Sequence, residues 1–228
     1  MTKPLLRSLA LMSVAGACSL SQAATVDWAN WTSAGTQTVA GNAVAGSSTV
    51  GITFSGDYAF TELNNTGFNY WQSPATPYVS AAVANAPANA DQIGLSNAGT
   101  FTITFSQPVV NPLIGLISWN GANVTFGGGA DSQTYDIQYL SSGCGYWGCG
   151  SYGSPTATSF TGVGELHGVI ELQGTYSSIT FTDTTPENWH GLTVGFESLA
   201  ATVPEPGDLA LILAGLGILG FAARRRAR

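Results

Sequence analysis

The stretch Thr100-Phe101-Thr102-Ile103-Thr104-Phe105 alternates threonine with a large apolar residue. Successive side chains of a β-strand point to opposite faces, so the apolar residues share one face and the threonines share the other. This alternation predicts a strand whose apolar face covers a core and whose threonine face meets water. It is the clearest strand pattern in the chain.

Most segments on either side of this stretch show the same period, with one exception. Leu113–Trp119 is apolar throughout, which is typical of a strand covered on both faces. In Glu165–Gln173 the pattern places Glu171 on a face toward water, opposite Ile170 and Leu172. The other predicted strands are Thr36–Ala45, Ser48–Phe54, Asp57–Leu63, Asn123–Phe126, Gln133–Leu140, Ser178–Thr182 and Gly191–Glu197.

The connections between these strands carry turn-forming residues. Gln107-Pro108 predicts a turn, and the run Gly127–Asp131 predicts a hairpin between the strands that flank it. Asn64–Asp91 is rich in Pro, Asn and Ala, which predicts a long loop with at most a short helical turn at Val79–Ala84. Short strands with almost no helical period predict an all-β fold, namely an antiparallel β-sandwich that is jelly-roll-like.

Residues 1–23 have the features of a secretory signal peptide. A basic start precedes an apolar run over residues 8–20, and Ser21-Gln22-Ala23 places small residues at the usual cleavage positions. We therefore expect cleavage before Ala24 and export from the cytoplasm. Cys18 lacks the preceding leucine usual at lipidation sites, so we interpret it as part of the signal peptide.

The charged residues are distributed unevenly along the chain. All six basic residues lie near the two ends, as Lys3, Arg7, Arg224, Arg225, Arg226 and Arg228. Of the thirteen Asp and Glu residues, only Glu205 and Asp208 lie in the tail, which leaves eleven between residues 24 and 202. Because phosphate groups are normally bound by Lys and Arg, this composition excludes nucleic acids as ligands. An acidic surface of this kind favours neutral sugars or divalent cations.

Two cysteines of the exported part, Cys144 and Cys149, bracket Gly145-Tyr146-Trp147-Gly148. An even pair in an oxidising compartment predicts a disulfide, which closes a small loop and contributes roughly 2 kcal/mol. Tyr146 and Trp147 then lie at the loop tip, where flat aromatic side chains lose little entropy on stacking against a sugar. They are the candidate ligand-binding residues. The alternative is that Trp147 folds back as a cap over the end of the fold.

The tail contains three successive features. Val203-Pro204-Glu205-Pro206 prevents a helix from entering, residues 209–223 are apolar and favour helix, and Arg224-Arg225-Arg226 follows. Fifteen helical residues span roughly 22 Å, less than the roughly 30 Å of a hydrocarbon core, so this is a marginal transmembrane helix with a cytoplasmic basic end. The tail resembles the PEP-CTERM sorting signal of Gram-negative bacteria that make extracellular polysaccharide.

This resemblance implies recognition by an exosortase, a membrane cysteine protease that cleaves near the proline–glutamate–proline triad. The tail would hold the protein at the membrane until that cleavage. A plain C-terminal anchor is the alternative, and both interpretations place the middle of the chain outside the cytoplasm. We therefore expect three parts, which are a signal peptide at 1–23, a β-sandwich ectodomain at 24–202 and a sorting signal at 203–228.

Candidate catalytic residues form no recognisable motif. A glycosidase needs two carboxylates roughly 5 to 9 Å apart, whereas Glu165 and Glu171 on one predicted strand would lie about 20 Å apart. Glu187 and His190 have the chemistry of an acid–base pair, but a turn in which Trp189 plugs the end of the sandwich is the simpler explanation. We therefore expect no catalytic residues and no enzymatic activity.

No cofactor is expected, although the acidic surplus leaves Ca²⁺ open. Asp131 and Asp136 are candidate ligands, but they follow no EF-hand spacing. Four tryptophans in or near strands are expected in the core, namely Trp28, Trp31, Trp71 and Trp119.

These observations predict a non-enzymatic, exported cell-surface or extracellular-matrix protein associated with exopolysaccharide. The alternatives are a carbohydrate-binding or adhesin module that uses the aromatic loop, and a secreted glycoside hydrolase.

Overall fold

The fold is taken from a computed structural model that describes residues 23–128 and 132–200, together with Leu216. The signal peptide, except its last residue, lies outside these residues, as do Asp131 and the sorting residues Val203 to Pro206 and Arg224 to Arg226. The predicted C-terminal apolar helix also lies outside them, apart from Leu216. Among the residues that are described, no helix has both the length and the apolar character needed to cross a membrane.

The described part is built almost entirely from strands, which confirms the all-β prediction. Its irregular segments include two short 3₁₀ turns, Tyr70–Gln72 and Thr76–Tyr78. The strands are β1 Asp27–Trp28, β2 Asn30–Gly35, β3 Thr38–Ala45, β4 Ser48–Ser55, β5 Phe60–Glu62, β6 Gln92–Leu95, β7 Gly99–Ile117, β8 Asn123–Phe126, β9 Ile137–Gly145, β10 Gly148–Gly153, β11 Ser159–Gly164, β12 His167–Leu172, β13 Thr175–Asp183 and β14 His190–Leu199.

The 19-residue strand β7 is the centre of the fold. Its first half, which contains the alternating Thr100–Phe105 stretch, pairs with β4 and β13, and its second half pairs with β12 and β14. Pairing continues in the order β7-β12-β9-β10-β11-β8-β13 and returns to β7, so seven antiparallel strands form a closed ring. The remaining strands extend outward from β7. A two-sheet, jelly-roll-like sandwich is therefore not confirmed.

The predicted turn at Gln107-Pro108 is wrong, because β7 runs through it without a break. The register between β7 and β13 shifts where β7 passes through Gln107 and Pro108, because Tyr176 pairs with Val109 whereas Ser178 pairs with Thr104. Nearby, Asn111 has a φ of 48°. A strand can bend at such a shift, where a proline without an amide donor is tolerated. The sequence pattern therefore marked an irregularity within one strand and not a chain reversal.

The predicted hairpin across Gly127–Asp131 is also wrong. Strand β8 pairs with β11 and β13, whereas β9 pairs with β10 and β12. Tyr135 precedes β9 and is buried, with its ring stacked on Tyr176 at 5.5 Å and 5.8 Å from the ring of Phe126. The chain between β8 and β9 therefore passes through the core at Tyr135 and does not form a tight hairpin turn. Strands β8 and β9 pair with different neighbours and not with each other.

Strand β12 differs from its prediction because two apolar clusters enclose it. Ile170 and Leu172 belong to the main core, and Val169 belongs to a second cluster with Trp71 and Tyr78. All six residues of β12 are consequently buried.

The helical turn expected at Val79–Ala84 is absent, since Val83 forms a bridge with Ala24 instead.

Three of the four tryptophans expected in the core are fully buried. Trp31, Trp71 and Trp119 have no more than 1% of their surface exposed. Trp28 is only partly buried and lines a surface cavity.

Candidate functional site

The candidate site starts at the tip of the β9–β10 hairpin. Tyr146 and Trp147 form the two-residue connection, and Cys144 pairs with Cys149 behind them. These cysteines form the predicted disulfide, with their Cα atoms 3.8 Å apart. The side chains of Tyr146 and Trp147 are 50% and 48% exposed, so each keeps about half of its surface free.

Six aromatic rings form one contiguous cluster around this tip, which we call the aromatic patch. Tyr70 is central, with its ring centroid 4.9 Å from Phe68, 5.2 Å from Tyr146 and 5.9 Å from Trp147. A second branch starts from Trp147, whose ring lies 5.9 Å from that of Trp189. The members are Phe60, Phe68, Tyr70, Tyr146, Trp147 and Trp189.

The patch is assembled from parts of the chain that are distant in sequence. Tyr70 begins a 3₁₀ turn that is held by the buried Trp71, whose indole N–H donates to the carbonyl of Asp91 at 3.1 Å. Trp189 precedes β14. Sequence reasoning singled out Tyr146 and Trp147 but missed Phe68 and Tyr70. The available signal was the aromatic run Phe68-Asn69-Tyr70-Trp71 inside a segment predicted to be loop.

A cavity of about 440 Å³ adjoins the aromatic patch, and we call it the patch cavity. Both tryptophans of the patch line it, so an aromatic surface continues directly into a polar recess. Its lining residues are Ser118, Asn120, Trp147, Glu165, Glu187, Asn188 and Trp189.

Glu165 is fixed on one wall of the patch cavity. The hydroxyl of Ser118 donates to its Oε2, and the amide of Asn120 donates to its Oε1 at 3.1 Å. Ser118 follows the end of β7 with a φ of 57°. Both carboxylate oxygens of Glu165 therefore accept hydrogen bonds from neighbours on one connection.

Glu187 reaches the same cavity from the segment before β14. Its Oε1 lies 2.6 Å from Nδ1 of His190, and Nε2 of His190 lies 3.4 Å from Oδ2 of Asp183. Neither contact has the alignment of a hydrogen bond. His190 and Asp183 are fully buried, and the imidazole packs 4.2 Å from the ring of Trp119. The buried pair thus lies next to Glu187, which is the member of the group that lines the cavity.

Residues 202–226 match the family model of the PEP-CTERM protein-sorting motif. The chain carries a PEP-CTERM sorting motif. No curated protein matches the chain, and no solved structure matches it. The PEP-CTERM motif implies an exported protein that is sorted to the cell envelope or surface and processed by an exosortase.

The PEP-CTERM match includes the predicted sorting residues of the tail but none of the aromatic patch. It contains Val203 to Pro206 as well as Arg224 to Arg226. The match therefore identifies how the protein is sorted.

Glu171, predicted to face water, is instead 7% exposed and lies beside Glu197 of β14. Burial raises the pKa of Glu171 from its usual 4.5 to about 7, and the adjacent charge of Glu197 adds to the effect. The amide of Asn111 donates to Oε2 of Glu197 at 3.0 Å. Glu171 is not among the residues that line the patch cavity, whereas Glu165 and Glu187 both are.

The expected calcium ligands are not assembled by the described residues. Within residues 23–128 and 132–200, no group of three or more His, Cys, Asp or Glu side chains is placed to hold a metal ion. Asp136 accepts a hydrogen bond from Gln138 at 3.2 Å, and Asp131 lies outside the described residues. Calcium binding therefore stays a prediction without a described site.

Proposed function

We propose that this chain is a non-enzymatic, exported surface or matrix protein that binds neutral exopolysaccharide through the aromatic patch and the patch cavity. The single observation that supports this proposal is the aromatic patch itself. Phe68, Tyr146 and Trp147 contact one another or the central Tyr70, yet each remains about half exposed. A contiguous exposed apolar surface of this kind is characteristic of a binding site.

The chemistry of the patch suits a sugar ring. Pyranose rings present apolar C–H faces, which stack on aromatic side chains, and tyrosine and tryptophan provide such faces with few rotatable bonds. Asn120, Asn188 and Glu165 in the adjoining cavity provide donors and acceptors for hydroxyl groups. Apolar stacking beside a few polar groups is the usual composition of a small-ligand site.

The electrostatics of the site favour an uncharged ligand. The chain has no Lys or Arg between residues 8 and 223, and the patch cavity is lined by Glu165 and Glu187. A uronate or a sulfated sugar would meet two carboxylates without a cation. We therefore propose a neutral polysaccharide as the ligand.

In this proposal the tail determines where the site is displayed. The segment from Leu209 to Ala223 holds the exported chain at the membrane until an exosortase removes it, after which the protein serves at the surface or in the matrix. The PEP-CTERM motif supports this order of events, because the motif belongs to proteins that are processed in that way.

Binding is tested by affinity electrophoresis of the purified exported protein in gels that contain neutral polysaccharides. Replacing Trp147 by alanine should weaken retardation by at least about tenfold in affinity, which equals about 1.4 kcal/mol. Val163→Ala is the matched control, because Val163 is also exposed, at 53%, but lies outside the aromatic patch. Unchanged retardation in both Trp147→Ala and Tyr146→Ala proteins would contradict the proposal.

A second candidate function, a secreted glycoside hydrolase, is favoured by one observation. Glu165 and Glu187 line the same cavity beside Trp147, and hydrolases place two carboxylates around the bond that they cleave. Release of reducing ends from the bound polysaccharide distinguishes the two functions. If the wild-type protein shortens the polymer and both Glu165→Gln and Glu187→Gln abolish this activity, the chain is an enzyme. Binding without shortening supports the non-enzymatic proposal.

A further inference from the structure

A second cavity, of about 310 Å³, lies between the first three strands and the loop of residues 85–89. None of the aromatic patch residues lines it. Its polar and aromatic lining residues are Asp27, Trp28, Asn30, Asn42, Asn85 and Asn89. We call it the amide cavity, because four of these six residues are asparagines.

Asn85 holds one wall of the amide cavity in place. Its Oδ1 accepts the backbone N–H of Val26 at 2.8 Å, and its amide donates to the carbonyl of Val26 at 2.9 Å. The carbonyl of Asn85 also accepts the indole N–H of Trp28 at 2.9 Å. Trp28 further packs on Gly195 of β14, where an added Cβ would approach its ring. The indole is therefore fixed at the edge of the cavity before any ligand arrives.

Asn30 and Asn42 also line the amide cavity, and their side chains are not used by the fold. The two residues face each other in the register of β2 and β3. Both are partly buried, and neither side-chain amide has a hydrogen-bond partner in the part of the chain that the structure describes. Asparagine is depleted in strands, so a cross-strand asparagine pair is not explained by strand formation. Each amide offers two donors and one acceptor to the cavity.

We propose that the amide cavity is a second binding site for a neutral sugar unit, so that one molecule holds two segments of glycan. The choice of ligand class rests on the proposed function, whereas the existence of the site rests on the cavity alone. Unused amides in the same cavity as a fixed indole provide the combination of hydroxyl recognition and ring contact that a pyranose needs. The volume lies at the lower end of the range for small-ligand pockets, which fits one or two sugar units.

The charges around the amide cavity favour an uncharged sugar here as well. Asp27 is the charged residue among those that line it. Burial raises the pKa of this carboxyl above its ordinary value, which reflects partial exclusion of water from the site. An anionic sugar would face Asp27 without a compensating cation.

The experiment counts binding sites with isothermal titration calorimetry on the purified exported protein. The probes are the neutral hexasaccharides cellohexaose, maltohexaose, laminarihexaose and mannohexaose. The variants are Asn42→Val, Asn30→Val and Trp147→Ala, with Asn123→Val as the matched control. Asn123 is an exposed strand asparagine that lines neither cavity. Thermal unfolding verifies that each variant is folded.

We expect the wild-type protein to bind at two sites. Asn42→Val and Asn30→Val should each lower affinity at one of them by at least about tenfold and leave the site that depends on Trp147 intact. Asn123→Val should change neither site. A single site that responds only to Trp147→Ala overturns this inference and leaves the proposed function standing.

Two other outcomes would contradict the function proposed for the aromatic patch. A single site that responds to Asn42→Val and not to Trp147→Ala supports the amide cavity and contradicts the function proposed for the aromatic patch. Absence of binding to all four hexasaccharides overturns both.

Discussion

At the scale of single residues, the acidic pair Glu171 and Glu197 shows how burial changes a carboxyl group. Folding places Glu171 between the apolar surroundings of β12 and the charge of Glu197, and these surroundings raise its pKa from 4.5 to about 7. The protonated form is favoured in the folded state, since a proton removes the like-charge repulsion and the cost of desolvation. The pair therefore couples stability to pH.

We predict that the contribution of Glu171 to the free energy of unfolding, measured as the difference between wild type and Glu171→Gln, falls as pH rises from about 4.5 to about 7. His167, whose pKa is lowered by burial, contributes the opposite trend to both proteins and drops out of this difference. In this window the unfolded chain has lost the Glu171 proton and the folded protein still holds it, so rising pH favours unfolding. The loss should be on the order of 2 kcal/mol. Glu171→Gln removes this titration and should be more stable than wild type at pH 8. Urea unfolding between pH 4 and pH 8 measures both effects.

Asp57→Asn is the control for this experiment, because Asp57 is exposed and the change in charge is the same. It should keep the wild-type pH dependence between pH 5 and pH 7. An identical pH profile for Glu171→Gln and wild type would contradict the assignment.

Gly145 tests how closely the hairpin packs on the body of the protein. A Cβ at this position would collide with the imidazole of His167. His167 is fully buried, and its Nδ1 lies 2.9 Å from the hydroxyl of Tyr78. Burial lowers the pKa of His167 to about 4, so the ring is neutral at pH 7.

We predict that Gly145→Ala lowers the free energy of unfolding by about 1–3 kcal/mol, because either the hairpin or the buried imidazole must shift. Gly143→Ala is the matched control on the same face of β9, where an added Cβ would meet Pro77 only at 3.8 Å. Denaturant unfolding of the two variants gives the comparison. Equal stability of Gly145→Ala and Gly143→Ala would show that the hairpin is not seated on His167.

At the scale of elements, the β9–β10 hairpin is the part that presents the aromatic patch. The disulfide between Cys144 and Cys149 lies directly behind Tyr146 and Trp147, and it restricts the hairpin in both the folded and the unfolded chain. For so small a loop, the contribution to stability is roughly 2 kcal/mol. In the proposed function, the disulfide would affect binding through the order that it gives to the hairpin tip.

We predict that the Cys144→Ser/Cys149→Ser double variant folds but binds polysaccharide more weakly, since Tyr146 and Trp147 must then be ordered on binding. Thermal unfolding and affinity electrophoresis measure the two effects. Dithiothreitol should weaken binding by the wild-type protein and leave the double variant unchanged. Wild-type affinity in the double variant would contradict a role of the disulfide in presenting the site.

Elements also show how far sequence reasoning reached. The period of Thr100–Phe105 gave the right strand and the right inward face, because water covers one side of it. The same reasoning placed Glu171 in water, since a two-residue period does not reveal that Trp71 and Tyr78 cover the outer face of β12. The hairpin expected at Gly127–Asp131 was wrong because local turn residues carry no information about the strands that close the ring.

The candidate site, too, was predicted only where its residues are close together in the sequence. Tyr146 and Trp147 were found from the cysteines that bracket them. Phe68, Tyr70 and Trp189 reach the patch from other parts of the chain, so only the folded structure brings the rings together. The two cavities depend likewise on segments that are distant in sequence.

At the scale of the whole molecule, the sorting motif and the two proposed binding sites occupy separate parts of the chain. Strand β14 ends at Leu199, and the PEP-CTERM match begins at residue 202. The aromatic patch and the amide cavity lie entirely within residues 26–189. The tail can therefore be changed without altering a residue of either proposed site.

We predict that replacing Pro204, Glu205 and Pro206 by alanine blocks processing and leaves polysaccharide binding at its wild-type strength. The triad lies within the matched motif, and its prolines fix an extended backbone that alanine does not. Mass spectrometry of the C-terminal peptide, in a host that contains an exosortase, should show a chain that still ends at Arg228.

Pro155→Ala, which removes a proline from an exposed turn of the ectodomain, is the control and should be processed normally. Normal processing of the triple-alanine chain would contradict recognition through the triad, whereas loss of binding in that chain would show that the tail contributes to the site.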